Sequence, residues 1–224
     1  MSLKFFKFCF YFILILLILF FYTKDLNIFG PKFYKNVKTI DNPNKIDVLV
    51  NKNNKLNSNY KPDDLIKLDV IYSNQNKFLR RCAAINFEAL SRDAKKKEYN
   101  ITAVSAYRSY EYQDELFNYY VKEKGLDYAL KASAKPGHSE HQTGLAVDVM
   151  GSNDDYNLFE ESKEFNWMIK NAHKYGFILR YPKNKERITG FKYEPWHYRY
   201  VGKKLAKYLH ENNKTLEEYK KMEK

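Results

Sequence analysis

A β-strand that carries a carboxylate in its middle, within the stretch "TGLAVDVM", limits the possible folds of this chain more than any other feature. Side chains alternate between the two faces of a strand. Leu145, Val147 and Val149 are therefore expected to face a hydrophobic core, and Asp148 lies on the opposite face. Because a buried carboxylate is costly unless it is paired or bound to a metal, the stretch predicts a sheet with a core on one face and a polar site on the other.

Two histidines are placed to meet this carboxylate. Gly144 lets the backbone bend, so that His141 can turn back toward Asp148. A catalytic zinc site needs three protein ligands and an open position, and the stretch "EPWHYRY" offers His197 as the third ligand. In the same stretch Glu194 is expected near the metal as a base, without being a ligand.

The N-terminal segment has a different character. An uncharged apolar run, Phe8 to Tyr22, follows Lys4 and Lys7. A membrane-spanning helix needs about 20 apolar residues and the core of a signal peptide about 7–15. Since no small-x-small cleavage pattern follows, we predict an uncleaved single-pass transmembrane helix with its lysine-flanked end in the cytoplasm. A cleaved signal peptide stays open as the alternative.

Cysteine content and net charge limit which disulfides and which binding partners the rest of the chain can have. Cys9 lies in the apolar run and Cys82 in the remainder, so we expect no disulfide and a domain stabilised by its core or by a metal. The net charge is +12, but the lysines are spread along the chain without a nucleic-acid-binding motif. For an external domain we therefore expect anionic polymers of a cell envelope as partners in preference to nucleic acid, and a solvated surface stays open as the explanation of much of the charge.

The order of secondary-structure signals predicts an α+β fold, with a central antiparallel sheet that carries the metal site and is flanked by helices. The hydrophobic pattern predicts a helix over 76–99 and further helices that end at Gly125 and Gly176. The expected organisation is a cytoplasmic tip with a transmembrane anchor at 1–24, a linker at 25–45, a catalytic domain at 46–212 and a C-terminal helix at 213–224.

Three stretches resemble one enzyme family. "SEHQTGLAVD" matches the pattern Ser-x-His-x-x-Gly-x-Ala-x-Asp, "EPWH" matches Glu-x-x-His, and "SAYRSYEYQ" is similar to an arginine-bearing segment. These are features of the VanY-type zinc D-alanyl-D-alanine carboxypeptidases. That family belongs to the superfamily of the lysostaphin-like peptidases and the hedgehog signalling domain. The resemblance extends, in order, over about residues 47–212.

The resemblance implies an activity and a role for each matching residue. The implied reaction is hydrolysis of the terminal D-alanine from peptidoglycan stem peptides, by a domain that faces the cell wall from the cell membrane. The implied roles are His141, Asp148 and His197 as ligands of one Zn²⁺ per chain, Glu194 as the catalytic base, Arg108 as the group that stabilises the developing negative charge, and Ser139 and Gln113 as residues that hold the C-terminal end of the peptide.

Several alternatives stay open at the level of the sequence. An L,D-carboxypeptidase acting on tetrapeptide stems would share every motif, and an endopeptidase would need a cleft open at both ends. A non-catalytic, metal-stabilised module that binds the cell wall is the alternative from another class. Glu194 and Arg108 could also form a salt bridge, Ser139 could only cap its loop, and Gln113 could lie on a helix surface. No feature of the sequence indicates an oligomeric state.

Overall fold

The structure is a computed structural model that describes residues 12–13, 33–152 and 155–223. The predicted transmembrane run, Phe8 to Tyr22, lies outside the described residues apart from positions 12 and 13. Among the helices of the described ranges, none is long and apolar enough to cross a membrane. Phe33–Lys224 forms one compact unit.

The first strand of this unit lies within the segment that the sequence assigns to a linker, 25–45. β1 (Lys38–Thr39) pairs in parallel with β2 (Asn54–Lys55). The backbone N–H of Tyr34 also donates to Oδ1 of Asn53 at 3.0 Å. Part of the predicted linker therefore packs within the compact unit, while the domain limits themselves stay predictions.

The helix predicted over 76–99 is shorter in the structure. β3 (Leu65–Lys67) pairs antiparallel with β4 (Phe78–Arg80), and α1 (Arg81–Lys95) begins directly after this pair. Leu79, which fits the helical apolar stripe, is fully buried as a strand residue instead. The prediction was wrong at this end because pairing with a distant strand outweighs local periodicity.

The remaining elements build the central sheet and the helices around it, which confirms the α+β class. The four strands β5 (Thr102–Ser105), β6 (Ala146–Met150), β8 (His197–Tyr200) and β7 (Phe177–Leu179) lie in that order, and each neighbouring pair is antiparallel. In chain order the elements are β5 (Thr102–Ser105), α2 (Tyr110–Lys124), α3 (Leu126–Ala132), β6 (Ala146–Met150), α4 (Lys163–Asn171), β7 (Phe177–Leu179), α5 (Glu186–Thr189), β8 (His197–Tyr200), α6 (Lys203–Glu211) and α7 (Leu216–Met222).

One face of the central sheet carries the hydrophobic core. Leu145, Val147 and Tyr198 are fully buried there, in one cluster with Phe87 and Leu90 of α1. Full burial of one such apolar side chain contributes about 1.5–3 kcal/mol. The core therefore fixes β6 and β8 against each other, and their opposite faces are held in register.

Two glycines end helical segments as predicted. α2 ends at Gly125, and Gly176 closes the 3₁₀ turn Ala172–Tyr175 with φ 88°. Before β8, residues 186–189 form the short helix α5. The carbonyl of Lys185 accepts from two backbone N–H groups of that turn, which satisfies it without a neighbouring strand.

Candidate active site

Asp148 and His197 meet because their strands are in register. They are directly paired across β6 and β8, so their side chains lie on the same face of the sheet. Nδ1 of His197 is 2.8 Å from Oδ1 of Asp148. The face opposite the core therefore carries an imidazole against a carboxylate, as the alternation of the strand predicts.

His141 reaches this point from a 3₁₀ turn, Glu140–Thr143. Ser139 caps the turn, with its Oγ accepting from the backbone N–H of His141 at 3.3 Å. Gly144 ends it with φ 64°, and a Cβ there would lie 2.8 Å from Cδ2 of Leu65. The turn therefore needs a glycine, both for its conformation and for the space that a side chain would occupy.

The orientation of the His141 ring leaves one nitrogen directed at the carboxylate. Nδ1 lies 2.6 Å from the carbonyl oxygen of Ala106, to which it donates as Nδ1–H. Nε2 is 3.3 Å from Oδ2 of Asp148 but has no hydrogen-bond partner among the described residues. An unpaired buried nitrogen beside a carboxylate is the arrangement expected of a metal ligand.

The three side chains fit a zinc ion. One ligand atom from each of His141, Asp148 and His197 lies within 4.8 Å of the others, and all three residues are buried. Two imidazoles and a carboxylate are donors that Zn²⁺ takes in catalytic sites, where a fourth position stays open. The structure therefore brings together the three side chains that the sequence predicts as metal ligands.

The charges of these side chains are compensated by their neighbours. Burial alone would raise the pKa of Asp148, but the imidazoles of His141 and His197 hold it well below its ordinary value. Burial, together with the charge of Arg108, lowers the pKa of His141. His141 is therefore neutral near pH 7, and a neutral imidazole is the form that binds a metal.

Glu194 lies beside this group in a tight turn. The backbone N–H of His197 donates to the carbonyl of Glu194 at 3.2 Å, and Oε2 of Glu194 is 3.9 Å from Nδ1 of His197. Burial, reinforced by Asp148 and Glu140, raises the pKa of Glu194 to about 7. A carboxylate with such a pKa suits the exchange of protons near neutral pH.

A cleft of about 860 Å³ contains the candidate site. The metal-ligand candidates, Glu194, Arg108 and Ser139 all line it. Nε of Arg108 is buried without a partner within the described ranges, and the backbone N–H of Arg108 donates to the carbonyl of His141 at 3.2 Å. The backbone of Arg108 is therefore held next to the histidine turn, and its guanidinium has a donor left to bind an oxygen atom.

Gln113 lies behind the cleft wall. Its side chain is almost fully buried, and its Nε2 donates to Oγ of Ser133 at 3.1 Å and to the carbonyl of Ala134 at 2.8 Å. Ser133 and Ala134 line the cleft themselves. Gln113 therefore supports two residues that line the cleft. It does not line the cleft itself, whereas the resemblance implies that it holds the peptide.

A buried network of charges next to the histidines was missed by the sequence analysis. Oε1 of Glu140 accepts from Nε of Arg180 at 2.8 Å and from Nη1 of Arg199 at 2.7 Å. Arg180 also makes a bidentate pair with Glu217 of α7. The two arginines lower the pKa of Glu140 although burial opposes this. The available signals were a glutamate at position 140, directly before His141, and an arginine at position 199 on the same strand face as His197.

The fold and the site together define a class of protein. A small antiparallel sheet presents a buried His-Asp-His donor set to a cleft, with a carboxylate at hand for proton transfer. These are the parts of a zinc hydrolase. The sequence profile of VanY, described as D-alanyl-D-alanine carboxypeptidase, matches residues 76–203. The chain belongs to the VanY D-alanyl-D-alanine carboxypeptidase family.

Two curated relatives agree with this membership. The chain is 47% identical over 190 residues to YodJ of Bacillus subtilis (strain 168), whose name gives carboxypeptidase as a provisional assignment; this covers 82% of the chain and 70% of the relative. It is 40% identical over 176 residues to the bifunctional D-Ala-D-Ala dipeptidase and D-Ala-D-Ala carboxypeptidase VanXYC of Enterococcus gallinarum, covering 76% of the chain and 91% of the relative.

Solved structures share the fold. The LdcB LD-carboxypeptidase superposes with a TM-score of 0.77 at 45% identity, covering 86% of this chain and 92% of that one. A VanY D,D-pentapeptidase from the VanB-type resistance cassette, in complex with Zn(II), has a TM-score of 0.68 at 31% identity. The match covers 78% of this chain and 98% of that one. VanYB in complex with D-alanine-D-alanine gives 0.68 at 31% identity, covering 80% and 99%.

Proposed function

We propose that this chain is a zinc-dependent D-alanyl-D-alanine carboxypeptidase that removes the terminal D-alanine from peptidoglycan stem peptides. The observation that carries the proposal is the meeting of His141, Asp148, His197 and Glu194 in one cleft. Membership of the VanY family supports the reaction. The solved complexes of VanY proteins with Zn(II) and with D-alanine-D-alanine support the metal and the substrate class.

The mechanism assigns one task to each side chain. His141, Asp148 and His197 would hold Zn²⁺, which would supply Lewis-acid polarisation of the scissile carbonyl and would make a water molecule at the site more acidic. Glu194 takes a proton from the attacking water and passes it to the amine that leaves. Arg108 donates to the scissile carbonyl oxygen as negative charge develops there. Ser139, at the cap of the histidine turn, lies in the cleft wall where it can hold the C-terminal end of the peptide.

A second candidate reaction has a specific observation in its favour. The LdcB structure, an LD-carboxypeptidase, matches this chain at higher identity than the VanY structures do. An L,D-carboxypeptidase removes D-alanine from a tetrapeptide stem, in which the centre on the N-terminal side of the cleaved bond has the L configuration. The same zinc, base and arginine would serve that reaction, so stereochemistry at the cleft decides between the two.

One experiment separates these candidates and tests the reaction itself. The full-length protein is incubated with a pentapeptide stem or a tetrapeptide stem, and free D-alanine is measured with and without a zinc chelator. We expect release from the pentapeptide that the chelator abolishes and that added zinc restores. Faster release from the tetrapeptide would favour the L,D reaction. Zinc binding without release from either stem would favour the non-catalytic module.

We also propose a location on the cell-wall side of the membrane. The apolar run Phe8 to Tyr22 with Lys4 and Lys7 before it supports a single-pass anchor whose N-terminus is cytoplasmic. Fractionation of cells, followed by protease treatment of intact protoplasts, tests this. We expect the protein in the membrane fraction and its C-terminal part digested from outside. Recovery in the soluble fraction at full length would contradict the proposal.

A further inference from the structure

The second ring nitrogen of His197, Nε2, has a neighbour to which the mechanism assigns no role. Nε2 lies 3.6 Å from Oε2 of Glu140. Both atoms are buried, and neither has a hydrogen-bond partner within the part of the chain that the structure describes. An unpaired buried donor and an unpaired buried acceptor, facing each other at this distance, need only a small movement to form a hydrogen bond.

Glu140 is held so that this oxygen cannot turn away. Its other oxygen, Oε1, accepts from both Arg180 and Arg199. Nη2 of Arg199 is fixed in turn by the carbonyls of Ile46 and Val48, at 3.0 Å and 2.8 Å. Two guanidinium groups therefore fix the plane of the carboxylate and leave Oε2 for His197.

The ring of His197 is held from another side as well. The ring of Tyr181 stacks on it, with centroids 4.8 Å apart and planes 26° apart. The guanidinium of Arg180 lies 5.0 Å from the centroid of the Tyr181 ring. Arg180 thus contacts both groups that touch His197, the carboxylate and the aromatic ring, which leaves the imidazole little freedom to rotate.

We propose that Glu140 is a positioning residue that fixes the tautomer of His197. It accepts a hydrogen bond from Nε2–H, so that Nδ1, which faces Asp148, is free of its proton and can bind the metal. The inference rests on the proposed zinc site and extends it by a residue to which neither motif assigns a role. Ligand histidines usually donate their other N–H to such an acceptor, and loss of that acceptor typically costs about 10–100-fold in metal affinity or activity.

Glu140→Gln tests the proposal with a matched control in Glu217→Gln. A glutamine at 140 has one acceptor oxygen, so its NH₂ must face either the arginines or His197, all of which are donors. Glu217 pairs with Arg180 in the same network but does not contact His197. Both variants remove one carboxylate from Arg180, and only the first removes the acceptor for the zinc ligand.

The measurement is zinc affinity of the full-length protein, by competition with a chromogenic chelator. We expect Glu140→Gln to bind zinc about 10–100-fold more weakly, Glu140→Asp to recover part of the loss, and Glu217→Gln to bind like the wild type. Equal weakening in the Glu140 and Glu217 variants, or unchanged affinity in Glu140→Gln, would overturn the proposal. Thermal unfolding of the metal-free proteins checks that each variant is folded.

The tautomer can also be read directly in the wild type, whether or not the Glu140 variant folds. In the zinc-loaded protein, ¹⁵N NMR of the imidazoles should show His197 protonated at Nε2 and unprotonated at Nδ1. The opposite assignment would refute the role of Glu140 on its own. Failure of the wild type to bind zinc or to release D-alanine would instead count against the proposed function, so the two failures are distinguishable.

Discussion

Three carboxylates at the candidate site, Asp148, Glu140 and Glu194, differ in how their charge is compensated. Asp148 faces two imidazoles, and Glu140 faces two guanidinium groups. Glu194 has weaker compensation, with the nearest His197 nitrogen 3.9 Å from its carboxylate. The pKa follows this order, low for Asp148 and Glu140 and raised to about 7 for Glu194. Glu194 is therefore the carboxylate best suited to accept and return a proton.

Glu194→Gln should remove catalysis without removing the metal. Because the amide cannot act as a base, we expect kcat to fall by about 10²–10⁴-fold, with zinc affinity retained. The rate of D-alanine release and the zinc content of the purified variant are the two measurements. Glu115→Gln, on the exposed surface of α2, serves as the control and should behave like the wild type. A Glu194→Gln enzyme that keeps its rate would exclude Glu194 as the base.

The candidate metal ligands were predictable from sequence, and their charged neighbours were not. His141 and Asp148 are seven positions apart around one glycine, so local geometry brings them together. Arg180 lies 40 positions from Glu140 and 37 from Glu217, and a single sequence does not show which charges pair across such separations. Gln113 shows the same limit, since helix periodicity alone does not reveal that its amide supports the neighbouring loop.

Among the secondary-structure elements, those whose ends depend on local chemistry were predicted well. α7 begins at a capping box, in which Oγ1 of Thr215 accepts from the N–H of Glu218 and the Glu218 carboxylate accepts from the N–H of Thr215. The start of α1 was missed because it depends on β3, a partner earlier in the chain. Helix caps and terminating glycines depend on residues that are neighbours in sequence, whereas strand pairing depends on residues far apart in sequence.

Thr215→Ala should destabilise the protein through the start of α7. Loss of an N-cap side chain costs about 0.5–2 kcal/mol, and α7 also carries Glu217 into the buried network. The free energy of unfolding from urea titration is the measurement. Thr215→Ser keeps the hydroxyl and should retain most of the stability. Equal losses in the two variants would show that the methyl group matters and the cap does not.

The contact between α6 and the turn before β7 should depend on pH. The rings of His173 and His210 stack with centroids 3.8 Å apart. Burial, followed by the charge of His210, lowers the pKa of His173 from its ordinary value of 6.5. The folded state therefore holds fewer protons than the unfolded state below about pH 6.5. The contribution of His173 to stability is thus present above that pH and is lost as the pH falls.

His173→Gln isolates this contribution. We expect the urea midpoint of the wild type to fall between pH 7.5 and pH 5, and the midpoint of the variant to fall less over the same range. Zinc is kept saturating in both, so that the titration of the metal-site histidines is common to them. Parallel pH profiles for the two proteins would mean that the stacked pair does not sense protons.

For the whole molecule, the candidate metal site joins parts of the chain that are far apart in sequence. His141 and Asp148 come from the turn and strand in the middle of the chain, His197 from the last strand, and the charged network reaches α7. A metal that binds these ligands only in the folded state stabilises the complete fold. Removal of zinc should therefore lower the stability of the entire domain.

This linkage has a measurable size. At free zinc of 100 times Kd the folded state gains about 2.7 kcal/mol, which corresponds to a rise in Tm of about 5–10 °C for a domain of this size. Differential scanning calorimetry with zinc and with chelator measures it. Asp148→Asn should unfold at a temperature that does not respond to zinc. A wild-type Tm that is unaffected by chelator would contradict zinc binding at this site.

The pairing of Glu217 with Arg180 bears on how the protein can be shortened for laboratory work. A fragment trimmed after Asn212 would keep every candidate metal ligand and every residue with a role in the proposed reaction, and it would still contain the family motifs. It would, however, leave Arg180 without its bidentate carboxylate, and breaking a buried ion pair costs about 3–5 kcal/mol. An affinity tag can follow the last helix, but the helix itself has to stay.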